Sequence, residues 1–178
     1  MNAYDFDETV YYGDSEFHFI EYIFAKYPSM KKYARRYKFY RFLQKKLKLI
    51  SRDAARVKIF AFLKVLDNVD KELAEFWATH EKNLKKWYLD VKTTGDVIVS
   101  ATPGFILEPI AEKLGVKLIA TRMDKKTGEL SGTYNYGDVR PEKFYSDSYS
   151  DEPMAKLAAE AFMVSDDDIE PWNFRNSR

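Results

Sequence analysis

Asp96-Val97-Ile98-Val99-Ser100-Ala101-Thr102-Pro103 reads as a buried strand running into a helix. Val97, Ile98 and Val99 form a β-branched apolar run, the composition a strand buried on both faces requires. Thr102 is then the expected N-cap of the next element, and Pro103 its first helical residue. Phe105, Ile106, Ile110 and Leu114 continue at helical spacing until Gly115, a natural C-terminal stop. Val116 to Thr121 is a second strand. A strand, a crossover helix and another strand make a parallel pair.

Downstream, Lys125 to Gly128 reads as a hairpin turn between Arg122 and Tyr134. Phe144 to Ser146 is a short strand, Pro153 to Glu160 a helix, and Ala161 to Val164 a last strand. Upstream, Ser15 to Tyr88 is helical throughout, broken at Pro28, at Ser51-Arg52-Asp53 and around Asp67 to Asp70, which predicts three to five helices. Met1 to Tyr4 is a short apolar strand ahead of them. The expected class is α/β: a parallel sheet covered on both faces, with an all-helical block inserted after its first strand. The expected boundaries are 1–12 and 92–172 for the α/β core, 13–91 for the helical block and 173–178 for a mobile tail.

A length of 178 residues suits one such domain with an insertion. A net charge of +1 argues against a dedicated nucleic-acid binder. The near-cancellation hides an asymmetry, because thirteen Lys or Arg and one acid, Asp53, lie between Lys26 and Lys58. The chain has no cysteine, which rules out disulfides, thiolate metal sites and a cysteine nucleophile. Its two histidines, His18 and His80, are far apart in sequence and support neither a histidine metal site nor a Ser-His triad. The longest uncharged apolar stretch, Val97 to Leu107, is well short of the ~20 residues that span a bilayer. The acidic start lacks the order of a signal peptide, so a cytoplasmic location is expected.

Three segments carry possible chemistry. Asp5-Phe6-Asp7-Glu8-Thr9 follows the first strand directly. Carboxylates at i and i+2 can face one pocket, where a hard divalent cation such as Mg²⁺ would offset their repulsion. Alone, the segment reads equally well as a solvated acidic turn. Ser100, with backbone N–H groups at a strand-to-helix turn, can bind an anion, although an ordinary helix cap explains it as well. Phe144 to Asp151 delivers Asp147 from the end of another strand, with Asp151 four residues on. Each segment ends a predicted parallel strand, the edge at which open α/β sheets bind ligands. Their convergence would suit metal-assisted phosphoryl transfer.

The same residues resemble a known family, the haloacid dehalogenase-like hydrolases with a Rossmann-like core. Asp5-Phe6-Asp7-Glu8-Thr9 is similar to its first motif, Ser100 to its second, and Ser146-Asp147-Ser148-Tyr149-Ser150-Asp151 to its fourth as found in the phosphoserine-phosphatase-like branch. The helical insertion resembles the cap of that branch. The resemblance implies a phosphomonoester hydrolase acting on a small phosphorylated metabolite. Asp5 would be the nucleophile that becomes an aspartyl-phosphate, and Asp7 the proton donor and acceptor. Mg²⁺ would be held by Asp5, Asp7 through its backbone carbonyl, and Asp147, with Thr9 and Asp151 supporting them from behind. Ser100 and the adjacent Ala101 would bind the phosphoryl group.

The family's third motif, a phosphate-binding Lys or Arg opening a helix, has no clear counterpart. Tyr134-Asn135-Tyr136-Gly137 resembles its lead-in, and Arg140 falls in register with the missing cation, although a solvated arginine fits as well. Lys143 would lie roughly 13 Å toward the wrong end of its strand at ~3.3 Å per residue. This departure predicts reduced activity, or a catalytically impaired descendant that binds an anionic partner. A sheet face without its helix favours a homodimer. The basic stretch around Lys38, Phe39, Arg41 and Phe42 reads as a charged outer helix face, an electrostatic funnel for anionic substrates, or a peripheral contact with anionic lipid.

Overall fold

The computed structural model describes residues 1–132 and 139–174. Seven strands form one sheet in the order β4-β3-β2-β1-β5-β6-β7. They are β1 (Ala3–Tyr4), β2 (Val97–Pro103), β3 (Lys117–Met123), β4 (Leu130–Gly132), β5 (Lys143–Ser146), β6 (Glu160–Ser165) and β7 (Asp168–Pro171). The five central strands run parallel, and β4 and β7 are antiparallel edges. Helices α1 (Ser15–Lys26), α2 (Lys31–Lys45), α3 (Arg52–Ile59), α4 (Val69–His80) and α5 (Lys86–Val91) lie between β1 and β2. Helix α6 (Gly104–Leu114) joins β2 to β3, and α7 (Glu152–Ala155) precedes β6.

Alternation along the strands sorts the core onto two faces. Tyr4, Ile98 and Tyr145 point to one side, where α1, α4 and α6 pack with Phe19, Phe76, Trp77 and Phe105 in one continuous cluster. The inserted helices therefore share their main core with the sheet. Ala3, Val97, Val99 and Phe144 point to the other side and meet only a small cluster with Met154, Ala155 and Trp172. The second face is thinly covered, in line with the helix expected to be missing ahead of β5: four-residue α7 is the only α-helix among the described residues packed there. The connection leading into β5 supplies none over residues 139–142.

Other differences have local causes. The predicted helix over Pro153 to Glu160 stops at Ala155, because Ala159 and Glu160 donate backbone hydrogen bonds to Pro141 and Glu142, starting the pairing of β6 with β5. Strand β7 lies beyond the strand expected to be last, Ala161 to Val164. Asp166 takes φ +53°, which turns the chain back onto β6. The hairpin after β3 forms as expected, with Arg122 opposite Gly132; its predicted far end at Tyr134 lies outside the described residues. So do Asn135, Tyr136, Gly137 and the last four residues of the expected tail.

Candidate active site

Register brings the three segments together. Tyr4 pairs with Ile98 on one side and Tyr145 on the other, so Asp5, Val99 and Ser146 follow at one level. Ser100 and Asp147 come one residue later, on strands flanking central β1. The chain leaves β1 toward the helices and returns on either side of it, the switch point where open sheets form their crevice.

Asp5 donates its backbone N–H to the Tyr145 carbonyl at 2.9 Å, fixing it against β5. Fully buried Thr9 has its hydroxyl 3.4 Å from both Asp5 Oδ2 and Asp147 Oδ1, and the same oxygen accepts the Asp147 N–H at 2.9 Å. Thr9 thereby clasps the ends of β1 and β5. Ser146 donates to Asp151 Oδ2 at 2.7 Å, holding that carboxylate behind Asp147. Asp7 turns the opposite way: its Oδ2 accepts the Thr102 hydroxyl at 2.6 Å and its Oδ1 the Ser15 N–H at 2.7 Å.

Thr102 corrects a sequence expectation. It does not cap α6, whose N-cap is Pro103 with no side-chain hydrogen bond. Its backbone N–H goes to Ser100 Oγ at 3.1 Å, and its hydroxyl is taken by Asp7. Ser100 Oγ acts as acceptor there, which leaves the hydroxyl proton for an anion. The sequence showed Thr102 beside Ser100 but gave no sign that it faces Asp7, 95 residues away.

Burial shapes the charges. Asp5 is pushed well above the ordinary carboxylate range by burial first, then by the neighbouring charges of Asp151, Asp7 and Asp147. Asp7 rises to about 6, because burial outweighs the hydrogen bonds from Ser15 and Thr102. Asp147 and Asp151 are raised chiefly by burial as well. Such a set is poorly matched to an all-ionised state without a cation.

A hard divalent ion fits this donor set. Asp5 and Asp147 supply two facing carboxylates. The Asp7 carbonyl accepts no hydrogen bond from the described residues, so it is available as a third oxygen. No group of three Asp, Glu, His or Cys side chains converges as a ready-made metal site among the described residues. His18 and His80 come within 6.0 Å ring to ring, but they engage Tyr11 and the Phe76 carbonyl.

These residues line a cavity of about 460 Å³, within the size range of small-molecule sites. Asp5, Asp7, Ser100, Ala101, Thr102, Asp147 and Asp151 contribute from the sheet edge, and Asp14, Lys45 and Arg52 from the inserted helices and their caps. Arg140 and Lys143 are not in the lining. Arg140 precedes β5, so the strand carries the chain from it toward the far rim where Asp147 sits. It is exposed, and its Nη1 donates to the Val139 carbonyl at 2.9 Å. Two cations reach the cavity, Lys45 and Arg52. Lys45 belongs to the basic stretch read from the sequence as a possible funnel for anionic substrates, whereas Arg52 was given no such part, because the fold alone brings α3 over the sheet edge.

The sequence matches the haloacid dehalogenase-like hydrolase family over residues 3–156. The chain belongs to that family. Among solved structures, a protein of unknown function from Bordetella pertussis Tohama I is 20% identical, with a TM-score of 0.70 and coverage of 90% of this chain and 87% of that one. A phosphoserine phosphohydrolase-like protein from Francisella tularensis is 17% identical, with a TM-score of 0.52 over 90% and 84% of the two chains. A phosphoserine phosphatase with a phospho-aspartyl intermediate analogue gives 17% and 0.52 over 90% and 83%. These likenesses show a shared fold. No curated protein matches the sequence.

Proposed function

We propose that this hydrolase is a Mg²⁺-dependent phosphomonoesterase using Asp5 as nucleophile. The observation that carries the reading is the division of labour between two aspartates on one turn. Asp5 lies beside Asp147 under Thr9, whereas Asp7 is drawn away by Thr102 and Ser15 and rises to about 6. One carboxylate is thus placed to attack, and the other to carry a proton near neutral pH.

A divalent ion bound by Asp5, the Asp7 carbonyl and Asp147 would neutralise charge on the nucleophile and the phosphoryl group. An Asp5 oxygen forms a bond to phosphorus as the ester P–O bond breaks, and Asp7 gives its proton to the leaving alkoxide. Asp7 then takes a proton from water, whose oxygen attacks phosphorus. The phosphorus–Asp5 bond breaks, releasing inorganic phosphate, freeing the Asp5 carboxylate and leaving Asp7 protonated as at the start. Ser100 donates its hydroxyl proton to a phosphoryl oxygen. Arg52 and Lys45 take the place of the third-motif cation from the helical side, a role for which Arg140 is poorly placed. Charge from Arg52 already reaches the lining carboxylate Asp151. A polar cavity of this size suits a small phosphorylated metabolite.

Turnover of p-nitrophenyl phosphate tests the reading. Activity with Mg²⁺, lost in EDTA and in Asp5→Asn, is expected. Turnover that survives both treatments would overturn it. Mg²⁺-dependent phosphate binding without turnover would instead favour a catalytically impaired anion binder, the reading motivated by the missing third motif.

A further inference from the structure

Helix α2 has no buried residue over fifteen positions, which is unusual for a helix in a folded domain. Its inner side rests on the main core only through the half-buried Tyr33, Tyr37 and Tyr40. The rest is a broad exposed face carrying Lys31, Lys32, Arg35, Arg36, Lys38, Lys45 and Lys46. Among these cations stand Phe39 and Phe42, 55% and 51% exposed. At 100° per residue both phenylalanines fall in the middle of the face, flanked by lysines and arginines on either side.

The loop after α2 continues the pattern. Lys46-Leu47-Lys48-Leu49 alternates cation and leucine, with Lys48 at φ +52° and with Leu47 48% and Leu49 70% exposed. Nine Lys or Arg and no acid lie between Lys31 and Lys48. Among the described residues none of the nine forms an ion pair with a carboxylate. Since the whole chain carries only +1, the remainder is net negative and this face is a concentrated positive pole.

We propose that the exposed face of α2 and the Leu47–Leu49 loop form a docking surface for an anionic lipid bilayer. The cations meet lipid phosphates while Phe39, Phe42, Leu47 and Leu49 enter the headgroup–acyl boundary. The long Lys and Arg stems let their charges stay at headgroup level above the inserted apolar groups. Charge alone would equally suit a nucleic acid, and phenylalanine can stack on bases. Protruding leucines gain nothing from a nucleic acid backbone and gain burial from lipid, so the apolar composition favours the membrane. Lys45 belongs both to this face and to the cavity lining, so docking would set the cavity mouth close to the bilayer.

Co-sedimentation of the full chain with vesicles tests this, and does so whether or not the site hydrolyses phosphate. Binding is expected to vesicles of phosphatidylcholine mixed equally with phosphatidylglycerol, not to phosphatidylcholine alone, and should be lost at about 0.5 M salt, where screening shortens to a few Å. The triple variant Phe39→Ser, Phe42→Ser, Leu49→Ser keeps every charge and should bind at least about tenfold more weakly. Arg35→Glu with Lys38→Glu should abolish binding. All these positions are exposed, so unchanged far-UV circular dichroism melts are expected. No binding to the anionic vesicles at low salt would overturn the proposal. Full binding by the triple-Ser variant would also do so, since it would mean diffuse attraction without insertion. Tighter binding to a single-stranded oligonucleotide than to the vesicles, lost in the same variant, would reassign the face to nucleic acid.

Discussion

The Thr102 hydroxyl donates to Asp7 Oδ2 at 2.6 Å and so holds the orientation of the proposed proton carrier from a different strand. Thr102 is 2% exposed, so no bulk water replaces that bond directly if it is lost. Thr102→Val keeps the shape and deletes the donor. The expected result is a fall in kcat of roughly tenfold to a hundredfold, part of the ~10²–10⁴ that a positioned acid or base contributes. The bond also holds the Asp7 pKa down, so the inflection of the pH–rate profile assigned to Asp7 should move upward. Thr102→Ser should restore both properties. A kinetic effect without the shift would reduce Thr102 to a packing residue.

Asp5→Asn separates function from stability. Asp5 is strained as a charge, pressed by burial and by three other carboxylates. Replacing it with a neutral isostere should eliminate turnover and raise the melting temperature in EDTA by a few degrees, since ~1 kcal/mol moves a chain of this size by about 2–4 °C. A thermal scan of both proteins without metal checks the second half. A lower melting temperature for the variant would show that the Asp5 carboxylate contributes stabilising hydrogen bonds that outweigh its repulsion.

What was legible in the sequence follows from what is local. Val97, Ile98 and Val99 announce a strand by composition, and Gly115 ends α6 with φ +69°, a conformation glycine adopts without strain. The aspartates were found because each follows an apolar strand in sequence. Thr102 was misread because a threonine before a helix is normally its cap, and only tertiary structure places Asp7 within reach. Arg140 was favoured by counting along the chain, which cannot tell which end of β5 a side chain reaches. Lys45 and Arg52 depend on how the inserted helices settle, and no local pattern encodes that.

Stability should depend on pH and metal together. Asp5, Asp7, Asp147 and Asp151 all bind protons more tightly when folded than at their ordinary value of 3.8. Without metal, their contribution is fully present below pH 3.8 and is lost as pH rises through the folded values, to about 6 for Asp7. For Asp7 alone a rise from 3.8 to about 6 corresponds to about 3 kcal/mol. In EDTA the melting temperature should therefore fall between pH 5 and pH 7.5, against the trend of proteins with paired surface carboxylates. Saturating Mg²⁺ should raise it more at pH 7.5 than at pH 5, because the ion competes with protons for the same oxygens. Equal metal-induced shifts at both pH values would mean that the ion binds away from these carboxylates.

Lys85 is 1% exposed and ties the turn after Asp5 to the β6–β7 hairpin. Its ammonium donates to the Glu8 carbonyl at 2.6 Å and to the Asp166 carbonyl, and lies 4.9 Å from the Tyr12 ring centre. Glu8 and Asp166 both hold positive φ, 60° and 53°, conformations that need support from outside the turn. Burial lowers the Lys85 pKa, so the charge is retained at a cost that these contacts offset. Lys85→Met preserves the stem and removes the donor, leaving the Glu8 and Asp166 backbone carbonyls without this partner. At ~1.5–3 kcal/mol for a hydrogen bond to a charged group, the expected loss is roughly 3 kcal/mol, or about 6–12 °C in melting temperature. Because the turn carrying Asp5 and Asp7 would loosen, Mg²⁺ affinity measured by calorimetry should weaken in the same variant. A variant with lowered melting temperature and unchanged Mg²⁺ affinity would show that Lys85 anchors the hairpin alone.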